Sequence, residues 1–249
     1  MMIIRNVINY TGGTPISLTG REYLSPDPTD TLVVALHCDD MRGPADGSQL
    51  DRLETIDWWP KFARNVVYPF NIFAAQVSGI TFHYLLKDII KAMKTRYNPK
   101  NIVLLGCGRG GFDTYNILSE NTDPEIKLVI NVSGGSDRSG SISRWPKVKG
   151  LVWHGTSDPR YSVASHQAIV NKYNSTHGAG RIKFNALSGV GYEAWNVAFN
   201  PDPAKDQSLQ FVINELNLGP VKPPPANDDL AELINRIKTQ LTEALNALQ

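Results

Sequence analysis

Short apolar runs and helical stripes alternate along most of this chain. The runs lie at Thr31–His37, Phe70–Ala75, Ile102–Gly106, Ile126–Val132, Gly150–Trp153 and Ile182–Leu187. Continuous apolar runs bounded by turn residues are the pattern of strands buried on both faces. Between them, helices are predicted over 50–64, 82–97, 110–120, 162–175 and 206–217. In the second of these, Leu85, Leu86, Ile89, Ile90 and Met93 mark one face, and Pro99 lies just past the end. The first 26 residues differ: β-prone pieces are broken by Gly12-Gly13-Thr14-Pro15 and Gly20, the pattern of an antiparallel edge. Strands alternating with helices predict an α/β fold, a mostly parallel sheet flanked by helices on both faces.

The rhythm changes at Gly219. Gly219-Pro220-Val221-Lys222-Pro223-Pro224-Pro225 cannot be helical and predicts a stiff, extended spacer. Asn227-Asp228-Asp229 then supplies a helix cap with acidic residues at the positive end of the dipole. Leu230, Ile234, Ile237, Leu241, Ala244 and Leu248 follow at spacings of 4, 3, 4, 3 and 4, and Leu233 and Leu245 widen the stripe. That is a heptad seam on an amphipathic helix too short to stand alone in water. It needs a partner, either its own domain or another copy. The spacer holds it away from the body, which favours a coiled coil between copies. Isoleucine at both seam positions favours a trimer over a dimer. The predicted organisation is a domain over 1–218, a proline-rich linker over 219–226 and an oligomerising helix over 227–249.

Candidate chemistry sits at the strand ends. The run Ile102 to Leu105 meets Gly106-Cys107-Gly108-Arg109-Gly110, and a helical segment begins there. This is the layout of a nucleophile elbow, G-x-S-x-G, in which a sharp strand-to-helix turn exposes a serine. The serine position is Gly108, which has no side chain to serve as nucleophile, acid or base.

Three further pieces accompany it in order. Leu36-His37-Cys38-Asp39-Asp40-Met41-Arg42-Gly43 follows the first buried strand. Trp153-His154-Gly155-Thr156-Ser157-Asp158-Pro159 follows a later one. Gly189-Val190-Gly191-Tyr192-Glu193-Ala194-Trp195-Asn196 comes last. Together with the elbow, and with Phe73-Ala74-Ala75-Gln76 at another strand end, they resemble the α/β-hydrolase superfamily, its esterase and depolymerase-like branch. The resemblance covers about residues 20–218. It implies an oxyanion loop at Cys38, an acid at Asp158 and a base at Tyr192, where the family has histidine.

Two of the three triad positions therefore depart from the family. Tyrosine titrates near pH 10, so Tyr192 is a poor base at neutral pH. Losing the serine or histidine of such a triad costs about 10⁶-fold in kcat. Cys38 stands where the oxyanion loop has a small glycine, with its wider backbone freedom. Asp158, without an imidazole to orient, is expected to accept hydrogen bonds from loop N–H groups or the Tyr192 hydroxyl. Cys107 is expected as a buried thiol, Ser133 and Ser136 as turn residues. His37 and His154 are expected to make structural hydrogen bonds, and His83, His166 and His177 to lie on or beside helices.

The expected function is a non-catalytic module that displays its fold through the C-terminal helix. A decoration or fibre-type protein of a phage virion or another large assembly is built this way. The expected cleft is aromatic, with Cys38, Asp39, Arg109, Tyr192 and Trp195, and suits a sugar or ester-like ligand. The alternatives are an esterase or depolymerase with a displaced triad, or an inactivated variant of one. Inactivation by a single change explains Gly108 but neither Tyr192 nor Cys38.

Composition narrows this further. The 249 residues, 41% hydrophobic, suit one sizeable domain with an appendage. A net charge of +1 provides no field for nucleic acid. No apolar run approaches the ~20 residues of a membrane span. Met1 to Asn6 lacks the layout of a secretion signal, so cytosolic synthesis is expected, with incorporation into a particle left open. Two cysteines are too few for a disulfide framework. No metal-ligand cluster or phosphate loop is present, and no cofactor is expected.

Overall fold

Eight strands form one sheet: β1 (Ile3–Tyr10), β2 (Leu18–Leu24), β3 (Thr31–Leu36), β4 (Asn71–Gln76), β5 (Asn101–Cys107), β6 (Ile126–Val132), β7 (Lys149–Gly155) and β8 (Ile182–Leu187). Their order in space is β1-β2-β4-β3-β5-β6-β7-β8. The β1–β2 and β2–β4 pairings are antiparallel, and the others are parallel. The computed structural model describes residues 2–14, 17–77, 86–120, 122–135, 139–223 and Lys238. The seam residues Leu230, Ile234, Ile237, Leu241 and Leu248 lie outside the described residues, as do His83 and Ser136.

The helices are α1 (Trp59–Phe62), α2 (Leu86–Tyr97), α3 (Arg109–Glu120), α4 (Val163–His177), α5 (Trp195–Ala198) and α6 (Gln207–Leu216). They leave an apolar core on each face of the sheet. Alternate residues along β3 feed opposite cores: Val33 and Ala35 enter one, Leu32, Val34 and Leu36 the other. Burial on both faces is why these strands carry unbroken apolar runs.

The predicted helix over 50–64 is replaced by a 3-10 turn (Leu50–Glu54) and the four-residue α1. Pro60 is the reason. Inside a longer helix it would lack an N–H and clash with the carbonyl four residues earlier. The chain instead extends at Trp58 (φ −156°, ψ 174°) and restarts with Pro60 in the first turn of α1. Both tryptophans are then buried with their N–H groups satisfied. Trp58 Nε1 donates to the Leu53 carbonyl at 2.6 Å, and Trp59 Nε1 to Asp206 Oδ2 at 2.9 Å. Asp206 also caps α6, accepting the Leu209 N–H at 2.8 Å.

The start of the proline-rich stretch lies against the domain. Lys222 and Val67 exchange backbone hydrogen bonds of 3.0 and 3.1 Å. Lys222 Nζ lies 2.7 Å from Asp27 Oδ2, and Leu218 and Val221 pack against the core.

Candidate functional site

β5 ends at Cys107 and α3 begins at Arg109, leaving one residue for the turn. Gly108 makes it with φ +53°, a conformation that glycine adopts at little cost and other residues resist. Its N–H donates to the Val132 carbonyl at 2.7 Å, and the Gly110 N–H donates to His37 at 3.0 Å. A Cβ on Gly110 would lie 2.7 Å from the His37 carbonyl, so only glycine lets α3 sit this close to the end of β3. The elbow frame is complete.

Tyr192 fills the place of the missing side chain. A Cβ built on Gly108 would overlap Tyr192 Oη and lie 2.7 Å from Cζ. Tyr192 is 4% exposed, and its hydroxyl has no hydrogen-bond partner among the described residues. Burial pushes its ionisation well above the ordinary range, with Cys38, Tyr161 and Asp39 adding to the effect. The phenol therefore stays protonated and cannot act as a base at neutral pH. Its ring meets Trp195 edge-on at 5.0 Å and Tyr161 at 6.2 Å, and the Arg160 guanidinium lies 4.0 Å over its face.

Asp158 has a buried carboxylate turned into its own loop. Oδ1 accepts the N–H groups of Arg160 at 2.8 Å and Tyr161 at 3.1 Å, as expected for loop bonds. Oδ2 lies 3.3 Å from His154 Nε2, whose N–H is directed to the Tyr161 carbonyl at 3.1 Å. Neither Oδ2 nor the Tyr192 hydroxyl has a hydrogen-bond partner among the described residues, so the expected bond between them is not formed.

Cys38 is fully buried with φ −77° and ψ 171°, an extended conformation open to any residue. The expected backbone conflict at this position is therefore absent. Burial pushes its thiol up to about 11 and that of Cys107 well above its ordinary range, so both remain protonated. Both cysteines are free. His37 donates from Nδ1 to the Cys38 carbonyl at 2.6 Å and accepts the Val77 N–H at Nε2, 3.1 Å away. Burial lowers its pKa to about 4.

Of the five residues expected to line a cleft, Cys38, Tyr192 and Trp195 are buried. Asp39 and Arg109 are half-buried. Asp39 pairs with Arg42 at 2.6 Å, and Arg109 stacks over Phe112 at 4.3 Å. The structure adds Arg160 and Tyr161, which cover Tyr192. They directly follow the Asp158-Pro159 turn, and no spacing rule points from there to residue 192. Ser133 is fully buried at the end of β6 with φ +51°, and its Oγ has no hydrogen-bond partner among the described residues. His37, His154 and His166 each have both ring nitrogens engaged, so none of these three is a free base. Among the described residues no group of three His, Cys, Asp or Glu could hold a metal ion.

No protein-family model and no curated protein sequence matches this chain. Solved structures do. TT1662 from Thermus thermophilus aligns with a TM-score of 0.61 at 15% identity, over 88% of this chain and 100% of that one. A thermostable esterase aligns at 0.63 and 18% identity, over 86% of this chain and 62% of that one. The esterase PE8 aligns at 0.60 and 16%, over 80% and 99%. At such identities the likeness is one of fold.

Proposed function

We propose that this protein of α/β-hydrolase fold is a non-catalytic binding or structural module. The observation that carries the reading is the overlap between Tyr192 Oη and the place of a Gly108 side chain. A nucleophile cannot be present there while the tyrosine is. Of the triad positions only the acid remains, and its carboxylate is bonded into its own loop. The polar groups beside Tyr192, with Arg160 and Tyr161 in electrostatic reach of Asp39 and Tyr161 in reach of Arg109, suit a polar ligand such as a sugar or an ester-like compound held without cleavage. The heptad seam beyond the linker suits self-association, so that several heads gain avidity from one assembly.

The esterase names among the structural relatives support the second reading, a working hydrolase with a displaced triad. A serine-reactive fluorophosphonate probe and short-chain ester substrates decide between them. The pure full-length protein is expected to remain unlabelled and to hydrolyse esters at the buffer rate. Labelling of Ser133 or any other serine, with turnover above that rate, would establish the displaced triad instead.

A further inference from the structure

An open cavity of about 520 Å³ lies at the end of the sheet opposite Gly108. β2 ends there and β4 begins there, whereas Gly108 follows the far end of β5. Arg5, Glu22, Asn71, Arg96 and Tyr97 line it, and the loop between β2 and β3 forms one side.

The cavity is built on a buried carboxylate. Glu22 is 1% exposed. Its Oε2 accepts from Arg96 Nε at 2.9 Å, from Arg96 Nη2 at 2.8 Å and from the Tyr97 hydroxyl at 2.7 Å. The Glu22 side chain makes no other hydrogen bond among the described residues, so Oε1 is the acceptor it can offer to the cavity. Arg96 is fixed in turn, with its guanidinium 4.9 Å over the Tyr10 ring. Its Nη1 is unbonded among the described residues.

Arg5 reaches the cavity from β1. It is the register partner of Glu22, and directly opposed residues of an antiparallel pair project from the same face. Arg5 is exposed, and its guanidinium has no partner among the described residues.

Charge and hydrogen-bond counting narrow the ligand. Arg96 pairs with Glu22, and Lys222 with Asp27. Arg5 is the remaining charged lining residue, so the cavity favours a ligand with one negative charge. A guanidinium fork matches a carboxylate. Glu22 Oε1 needs a donor instead, which an ionised carboxylate cannot supply and a hydroxyl can. A hydroxyl also accepts, which suits Arg96 Nη1. A fatty carboxylate would leave Oε1 unpaired, and a neutral sugar would leave Arg5 unpaired. An amino acid carries a donor and a carboxylate but no net charge. Leu24 and Pro28 add apolar surface for the C–H face of a ring.

We propose that this cavity binds a sugar acid of the hexuronate class. Its carboxylate pairs with Arg5, and one of its hydroxyls donates to Glu22 Oε1. The site is separate from the elbow and does not depend on what the elbow does.

Titration calorimetry of the full-length protein tests this with three probes. Glucuronate is expected to bind with a Kd of about 1 mM or tighter. Glucose, which lacks the carboxylate, and hexanoate, which lacks the hydroxyls, are expected to bind about tenfold more weakly or worse. No binding of glucuronate, or equal binding of either control, would overturn the proposal. Arg5→Ala removes an exposed, unpaired side chain and is expected to weaken glucuronate about tenfold without altering glucose. Unchanged affinity for glucuronate in that variant would overturn the assignment of Arg5. Hydrogen exchange with and without glucuronate locates the ligand. Added protection is expected over 22–30 and 94–97. Protection confined to 106–112 and 189–195 would place the sugar acid at the elbow and overturn this site. If the variant does not fold, the probes and the exchange pattern of the unaltered protein decide the matter.

Discussion

The phenolic oxygen of Tyr192 stands where a side chain on Gly108 would begin. The two residues lie 84 positions apart and belong to different loops, yet each accounts for the other. A serine at 108 excludes the tyrosine from its place, and the tyrosine excludes the serine. The departures at the two positions are therefore one structural change. Glycine also relieves the strain that an L-residue would carry at φ +53°.

This coupling predicts non-additive stabilities. Gly108→Ala combines the cost of a left-handed backbone, about 1–2 kcal/mol, with overpacking against Tyr192, about 1–3 kcal/mol. With Tyr192→His in place, only the backbone part is expected to remain, about 1–2 kcal/mol. Urea unfolding of both single variants and the double gives the coupling energy. Additive values would mean that the tyrosine moves aside at little cost.

The Tyr192 hydroxyl is buried without a hydrogen-bond partner among the described residues, and such groups cost stability. Tyr192→Phe is therefore expected to be neutral or to stabilise by about 1 kcal/mol. Thermal unfolding reads this directly. A loss of that size would show that the hydroxyl has a partner, such as an ordered water.

Reactivation requires both positions. Gly108→Ser alone supplies a hydroxyl with no base and no room, and is expected to be silent. Gly108→Ser with Tyr192→His supplies nucleophile and base together, and Asp158 Oδ2 is unbonded and available to orient the new imidazole. Hydrolysis of a p-nitrophenyl ester is expected to exceed that of the single variant by about tenfold or more. A folded but silent double variant would show that restoring nucleophile and base does not by itself restore a working site.

His37 makes stability pH-dependent. Its pKa is about 4 in the folded protein, against about 6.5 unfolded. Above the unfolded value both states are neutral and the residue is without effect. As pH falls from about 6.5 to about 4, the unfolded chain binds the proton first, and stability is lost. The shift corresponds to about 3 kcal/mol at saturation. His37→Gln is expected to flatten the decline in denaturation midpoints across that interval. An unchanged slope would show that other groups carry it.

The sheet was legible because burial on both faces leaves unbroken apolar runs, and the elbow because its glycines are forced by close backbone approach. Asp158 and Tyr192 were legible as positions within loops. Their contacts were not. Tyr192 against Gly108 and His154 against His166 depend on how separate elements meet, and periodicity carries no information about such meetings. The predicted helix over 50–64 failed for a local reason, since Pro60 outweighs the apolar pattern around it.

The contact between Lys222 and Val67 ties the start of the proline-rich stretch to the domain. A chain ending at Pro223 keeps that bridge and the ion pair to Asp27, while one ending at Leu218 loses both and the packing of Val221. The two hydrogen bonds contribute about 0.5–1.5 kcal/mol each. The shorter chain is therefore expected to melt about 4–8 °C below the longer one. The longer truncation should melt with the full-length protein but differ from it in mass. Sedimentation is expected to give three times 27.5 kDa for the full chain and a monomer for the chain ending at Pro223. If the full chain also sediments as a monomer, the seam does not join copies of this protein. If the chain ending at Pro223 remains a trimer, the contact between copies lies on the domain itself.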